Sequence, residues 1–180
     1  RLDWMSVTDN AGGNPMEGPS VVAQRIKEKG KDTIVHLTCK DRNRNALEAC
    51  VWQYRSENLD NVLCLTGDYP AAHQGYFGTA VPVFDLDSTT LCRMLHDLNH
   101  GLRVTGRKPG TFVHLDPTNF FVGCAVSPFK ANEAELMCQY LKLALKVHNG
   151  AQFIVPQLGY DMRKSTELLA YLRQNCMEHI

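Results

Sequence analysis

Short apolar runs alternate along the chain with longer segments in which apolar residues return every three or four positions. Residues 3–8 predict a strand, and the turn-rich Asp9-Asn10-Ala11-Gly12-Gly13-Asn14-Pro15 after them predicts a loop. A helix is expected over 20–29, with Ser20 read as its N-cap and Gly30 at its end. Residues 33–38 form a second β-rich run. A helix starting near Asp41 places Leu47, Cys50, Val51 and Tyr54 at i, i+3, i+4 and i+7, on one face. Residues 61–65 predict a third strand, followed by a long loop to Ser88 and a helix built on Leu91, Met94, Leu95 and Leu98. The stretch 101–117 is rich in Gly, Pro, Thr and basic residues and reads as a loop with room for a short hairpin. A strand over 119–126 and a helix over 133–149 follow, the helix carrying Leu136, Tyr140, Leu143 and Val147 on one stripe and closing at Gly150. A last strand at 151–155 leads to a helix over 162–175, whose Leu168, Leu169 and Leu172 are expected to face inward.

The pattern is five strand-then-helix units in one domain spanning 1–180. Strands apolar on both faces require parallel pairing under a cover of helices, so the class is α/β. Periodicity alone does not separate a doubly wound sheet from a (β/α)8 TIM barrel. Polar residues gather where strands end: His36 lies inside its run, and Gly67-Asp68 and Gln157 lie just beyond theirs. That tilts the reading to a barrel, whose sites sit at the carboxyl ends of the strands.

Composition narrows the function classes. With 180 residues, 44% hydrophobic and 21% charged, and a formal net charge of zero, the chain is globular and carries no electrostatic footprint for nucleic acid or acidic membranes. Lys27, Lys29 and Lys31 are interleaved with Glu28 and Asp32 and read as a solvated helix end. No run approaches the ~18 apolar residues of a membrane span, and the N-terminus shows no signal-peptide pattern. The chain begins with Arg1 rather than Met, as a processed, excised or partial chain would. Seven cysteines without a Cys-x-x-Cys pair, several inside apolar runs, point to buried thiols in a reducing, cytoplasmic compartment rather than to a disulfide framework.

Asp68 follows a strand and a glycine, an arrangement that sets a carboxylate at the mouth of a parallel sheet; helix capping is the alternative. His36 reads as a satisfied core histidine or as a cofactor-facing imidazole. Gln157 offers an amide that can both donate to and accept from a heterocycle, or a loop cap. Lys146 pairs either with the carbonyl end of its own helix or with phosphate. No metal site is expected: His96 and His100 stand at i, i+4 without the Glu of a zinc-peptidase helix. There is no Gly-x-Ser-x-Gly elbow, Walker loop or full dinucleotide fingerprint, and Gly12-Gly13 has Pro15 and Pro19 close by.

Six segments in order carry a resemblance to the methylenetetrahydrofolate reductases. Ser6-Val7-Thr8-Asp9-Asn10 resembles the family's second strand, and His36-Leu37-Thr38-Cys39 with Asp41-Arg42-Asn43-Arg44 its third. Leu65-Thr66-Gly67-Asp68-Tyr69-Pro70 resembles the fourth strand end, and Val83-Phe84-Asp85-Leu86-Asp87-Ser88 a segment after it. Gly123-Cys124-Ala125-Val126-Ser127-Pro128 resembles the fifth strand. Lys146, Gly150-Ala151-Gln152-Phe153 and Gln157-Leu158-Gly159-Tyr160-Asp161 resemble the helix before the sixth strand, that strand and its end.

The resemblance implies a TIM barrel holding FAD at its strand ends, with NADH or NADPH as electron donor and methylenetetrahydrofolate as the small-molecule substrate reduced to methyltetrahydrofolate. By position it implies Thr8, His36, Thr66, Gly67, Asp68, Ser127 and Lys146 around the flavin. Asp68 would also be the catalytic carboxylate facing the folate, and Gln157 would contact folate or nicotinamide. The family often has Arg where Thr66 stands and Thr where Pro156 stands, which bears on FAD affinity. The matched segments run from the second strand to the helix after the sixth, an incomplete barrel of about five βα units. The glutamate-bearing first strand and strands seven and eight are not among them. A homo-oligomer or a partner subunit is compatible with such an arc, and so is the alternative of a non-catalytic or flavin-free folate-binding module within a larger complex.

Overall fold

In the computed structural model, which describes residues 3–70 and 80–180, five strands form one parallel sheet in the order β1-β2-β3-β6-β7. They are β1 (Trp4–Val7), β2 (Asp32–Thr38), β3 (Asn61–Leu65), β6 (Phe121–Val126) and β7 (Phe153–Pro156). Helices α1 (Pro19–Lys27), α2 (Arg44–Ser56), α3 (Ser88–Asn99), α4 (Glu133–His148) and α5 (Met162–Gln174) follow them in turn. The mixed α/β chain is a curled, half-barrel arc, consistent with an incomplete TIM-type barrel.

Strand alternation sorts the side chains into two faces. Val7, Val35, Val62 and Val122 stand in register across four strands, and Leu37, Cys64 and Cys124 form the next row. All seven are buried in one core with the helix stripes Leu47-Val51-Tyr54, Leu91-Leu95-Leu98, Leu136-Tyr140-Leu143 and Leu168-Leu172. Each fully buried Val or Leu contributes about 1.5–3 kcal/mol, so this layer holds the helices to the sheet. On the opposite face His36, Leu63, Gly123 and Phe153 are aligned. A Cβ on Gly123 would stand 2.1 Å from the Phe153 ring, which crosses over this position and stacks on Phe121 at 4.9 Å between centroids.

The short hairpin anticipated in 101–117 is β4 (Arg103–Thr105) paired antiparallel with β5 (Phe112–His114), the Arg103 guanidinium lying 3.8 Å above the Phe112 ring. Three local expectations change. Helix α1 is capped at Gly18 with Pro19 in its first turn; Ser20 is buried, and its hydroxyl accepts from the Gln53 amide of α2 at 2.9 Å. Helix α2 waits until Arg44 because Asp41 adopts φ 59, and Asn43 caps it by accepting from the Ala46 amide. Leu169 is 53% exposed: one residue beyond Leu168 turns about 100° around the helix, off the buried stripe. Part of the loop expected before Ser88, residues 71–79, lies outside the described residues. Helix α3 starts in a capping box formed by Asp87 and Thr90.

All seven cysteines are free, but the expected burial holds only for Cys39, Cys64, Cys92 and Cys124; Cys50 is half-buried, and Cys138 and Cys176 are exposed. Among the described residues no helix is long and apolar enough to cross a membrane, and no group of side chains could hold a metal ion.

A candidate active-site cleft at the strand ends

The loops leaving the carboxyl ends of the five parallel strands surround a cleft of about 510 Å³, a size usual for a small-molecule or cofactor site. Leu63, Leu65, Ala125 and Val155 supply apolar wall. Thr8, His36, Thr66, Gly67, Asp68, Ser127, Lys146 and Gln157, the eight positions singled out in the sequence, all line this one cleft. Parallel topology explains the convergence, since every strand delivers its following loop to the same end of the sheet.

Past β3 the ladder continues through Cys39 N–H to Leu65 O and Lys40 N–H to Thr66 O, both 3.0 Å. This brings Gly67 against the β2 loop. Its φ is 92, and a Cβ there would meet Lys40 Cβ at 2.7 Å and Thr38 Cβ at 3.1 Å, so only glycine lets the backbone turn at this point. Asp68 therefore emerges exposed at the mouth. The Thr66 hydroxyl accepts from the Ser88 amide and lies 3.2 Å from the Ser88 hydroxyl, tying the strand end to the start of α3.

Lys146, half-buried in the cleft wall, turns away from its own helix end. Its Nζ donates to the Ala125 carbonyl of β6 at 2.8 Å, leaving two of its three donors for other partners. Gln157 N–H donates to Val126 O, and its Oε1 accepts from the Leu158 amide at 3.0 Å, so the side-chain NH2 is the group left for a ligand. His36 Nε2 lies 2.6 Å from Ser6 Oγ. Burial lowers the His36 pKa against a smaller opposing pull from Asp9, so the imidazole is neutral near pH 7.

One feature of this mouth was not legible in the sequence. Asp9 lines the cleft, yet its side chain is only 1% exposed, because both oxygens are engaged. Oδ2 accepts from Thr38 N (3.0 Å), Thr38 Oγ1 (2.8 Å) and Arg42 Nη1 (2.5 Å), and Oδ1 from Arg42 Nη2 (3.1 Å). Burial by itself would raise the Asp9 pKa, but the Arg42 and Thr38 bonds outweigh it and hold the carboxyl below the ordinary value. Arg42 also donates to Thr38 O at 3.0 Å, so one guanidinium binds the end of β1 to the end of β2. Asp9 and Arg42 both stand in the segments quoted above, but no local pattern pairs residues 33 positions apart.

Comparison with known proteins adds two findings. Residues 2–180 match the family model described as methylenetetrahydrofolate reductase. The chain is 29% identical over 164 residues to methylenetetrahydrofolate reductase 1 of Schizosaccharomyces pombe, an alignment covering 88% of this chain and 23% of that protein. The chain thus spans about a quarter of the length of that curated relative.

Proposed function

This chain belongs to the methylenetetrahydrofolate reductase family, and on that premise we propose that its cleft holds FAD and serves the reduction of 5,10-methylenetetrahydrofolate to 5-methyltetrahydrofolate with NADH or NADPH as donor. The observation that carries the reading is the convergence of eight polar or backbone-presenting positions from β1, β2, β3, β6, β7 and α4 on a single cleft. FAD, when bound, supplies the ring that accepts and passes on hydride.

The residues present fit such a group. Leu63, Leu65 and Val155 give a planar heterocycle apolar surface and keep water from one side of it, and Gly67 offers backbone without a side chain in the way. Thr8, Ser127 and the Gln157 amide are hydrogen-bonding groups for the ring and its chain. The two uncommitted donors of Lys146 suit a phosphate or a ring acceptor. Asp68 is the catalytic carboxylate of this proposal: at the mouth it orients the folate and adjusts the electronics of a neighbouring heterocycle through its charge. Five strands leave three to complete an eight-stranded barrel, and β1 and β7 present the edges that further strands, from the same polypeptide or a partner subunit, would pair. The whole functions in a reducing, cytoplasmic setting, in keeping with seven free thiols.

A second reading, a folate-binding module without flavin, is favoured by Thr66, whose hydroxyl is committed to Ser88 where the family often supplies a cation. The visible spectrum of the purified full chain, with FAD added and the excess removed, separates the two. Retained flavin absorbance that NADH or NADPH bleaches and methylenetetrahydrofolate restores is the expected result. A folded protein that binds folate and retains no flavin would establish the second reading instead.

A further inference from the structure

Ser6 and His36 stand on neighbouring strands with Ser6 paired to Ile34 in the β1–β2 register, and their side chains meet at 2.6 Å between Oγ and Nε2. His36 lines the cleft; Ser6 lies outside its lining. An imidazole has two nitrogens, and Ser6 engages Nε2, so Nδ1 is the nitrogen left for a ligand. Whether Nδ1 carries a proton is decided by the other end of the ring: a hydroxyl that donates to Nε2 forces the proton of the neutral ring onto Nδ1. Burial keeps the ring neutral, so a tautomer choice exists to be made. The acceptors of an isoalloxazine edge, two carbonyl oxygens and two bare ring nitrogens against a single N–H, call for a donor from the wall.

We propose that Ser6 is a positioning residue for the cleft: its hydroxyl donates to His36 Nε2, fixes the Nδ1–H tautomer, and so makes His36 a hydrogen-bond donor to an acceptor-rich heterocycle. The inference rests on the flavin reading for the identity of that heterocycle, but not for the tautomer itself. Thr8, two residues on and just past the end of β1, lines the cleft directly; Ser6 acts only through the imidazole.

The test is long-range 15N–1H correlation on the full chain with 15N-labelled histidine at pH 7.5, the His36 signals being those lost in His36→Asn. The proposal expects a protonated Nδ1 and a bare Nε2 in the wild type, a shift toward the Nε2–H form in Ser6→Ala, and restoration in Ser6→Thr. FAD binding, titrated by flavin fluorescence, is expected to weaken about fivefold in Ser6→Ala, the worth of one hydrogen bond, and to stay within about twofold in Ser6→Thr. A bare Nδ1 in the wild type, or a tautomer that Ser6→Ala leaves unchanged, overturns the proposal whatever FAD does. A wild type that holds Nδ1–H and takes no FAD overturns the flavin reading alone.

Discussion

Replacing Arg42 with Ala should destabilise the fold far more than any other single arginine change at the protein surface. The substitution strips two charge-assisted bonds, at 2.5 and 3.1 Å, from a carboxylate that is 1% exposed, and leaves Asp9 with only the Thr38 amide and hydroxyl. It also removes the 3.0 Å bond from the guanidinium to Thr38 O, and with it a tie between the ends of β1 and β2. Breaking a buried pair by removing one partner costs about 3–5 kcal/mol, because the surviving charge stays buried without compensation. The Arg25–Glu28 pair is a built-in control: its side chains are 76% and 56% exposed, and such an i,i+3 pair contributes about 0.5 kcal/mol or less. Urea unfolding followed by circular dichroism reads both. At a slope of about 2 kcal/mol/M, Arg42→Ala should lower the midpoint by about 1.5–2.5 M with the slope unchanged, and Arg25→Ala by about 0.25 M or less. Arg42→Lys, which keeps the charge and loses the two-pronged geometry, should fall between them. An Arg42→Ala midpoint no lower than that of Arg25→Ala would refute the argument that this pair holds the mouth together.

Asp9 predicts a pH dependence of known sign. Its folded pKa lies below the unfolded value of about 3.9, so its stabilisation is fully present above that value and is lost as pH falls through the folded pKa. Acid titrations of stability should therefore be shallower below pH 4 for Asp9→Asn than for the wild type. Gly123→Ala would drive a methyl into the Phe153 ring at 2.1 Å and should cost about 1–3 kcal/mol by calorimetry; Phe153→Leu in the same chain should recover part of it. Asn99→Ala removes the amide that donates to Phe120 O and accepts from Thr118 Oγ1 and Phe120 N, and should lower stability by about 1–3 kcal/mol in the same measurement. On the proposed function, Asp68→Asn, at an exposed position, should leave the circular dichroism spectrum intact and lower methylenetetrahydrofolate reduction about tenfold or more, the equivalent of one lost charged hydrogen bond.

Much of this architecture is local in origin and was therefore legible. The β-branched run ending at Thr38, the i, i+3, i+4, i+7 spacing of Leu47 through Tyr54, and the Gly and Pro between 101 and 117 each answer to the backbone within a turn or a strand of themselves. Five such units in alternation force a parallel sheet, and a parallel sheet forces the loops carrying Thr8, Asp68, Ser127 and Gln157 to one end, so their meeting in one cleft follows from order along the chain. The misread local details were settled by neighbours: Ser20 has the chemistry of a cap, but α2 lies close enough for Gln53 to claim its hydroxyl, and Gly18 takes the cap instead.

What the sequence by itself determined is the set of elements, their alternation and, through strand polarity, the end of the sheet where polar side chains gather. Tertiary structure alone decided which of those side chains face one another. Asp9 meets Arg42 across 33 positions and Ser6 meets His36 across 30, because parallel pairing aligns strand ends that are remote in the chain. Periodicity records which face a residue occupies and carries nothing about the residue across the seam; that depends on register, curl and the burial that gives a paired charge or a shared proton its energy.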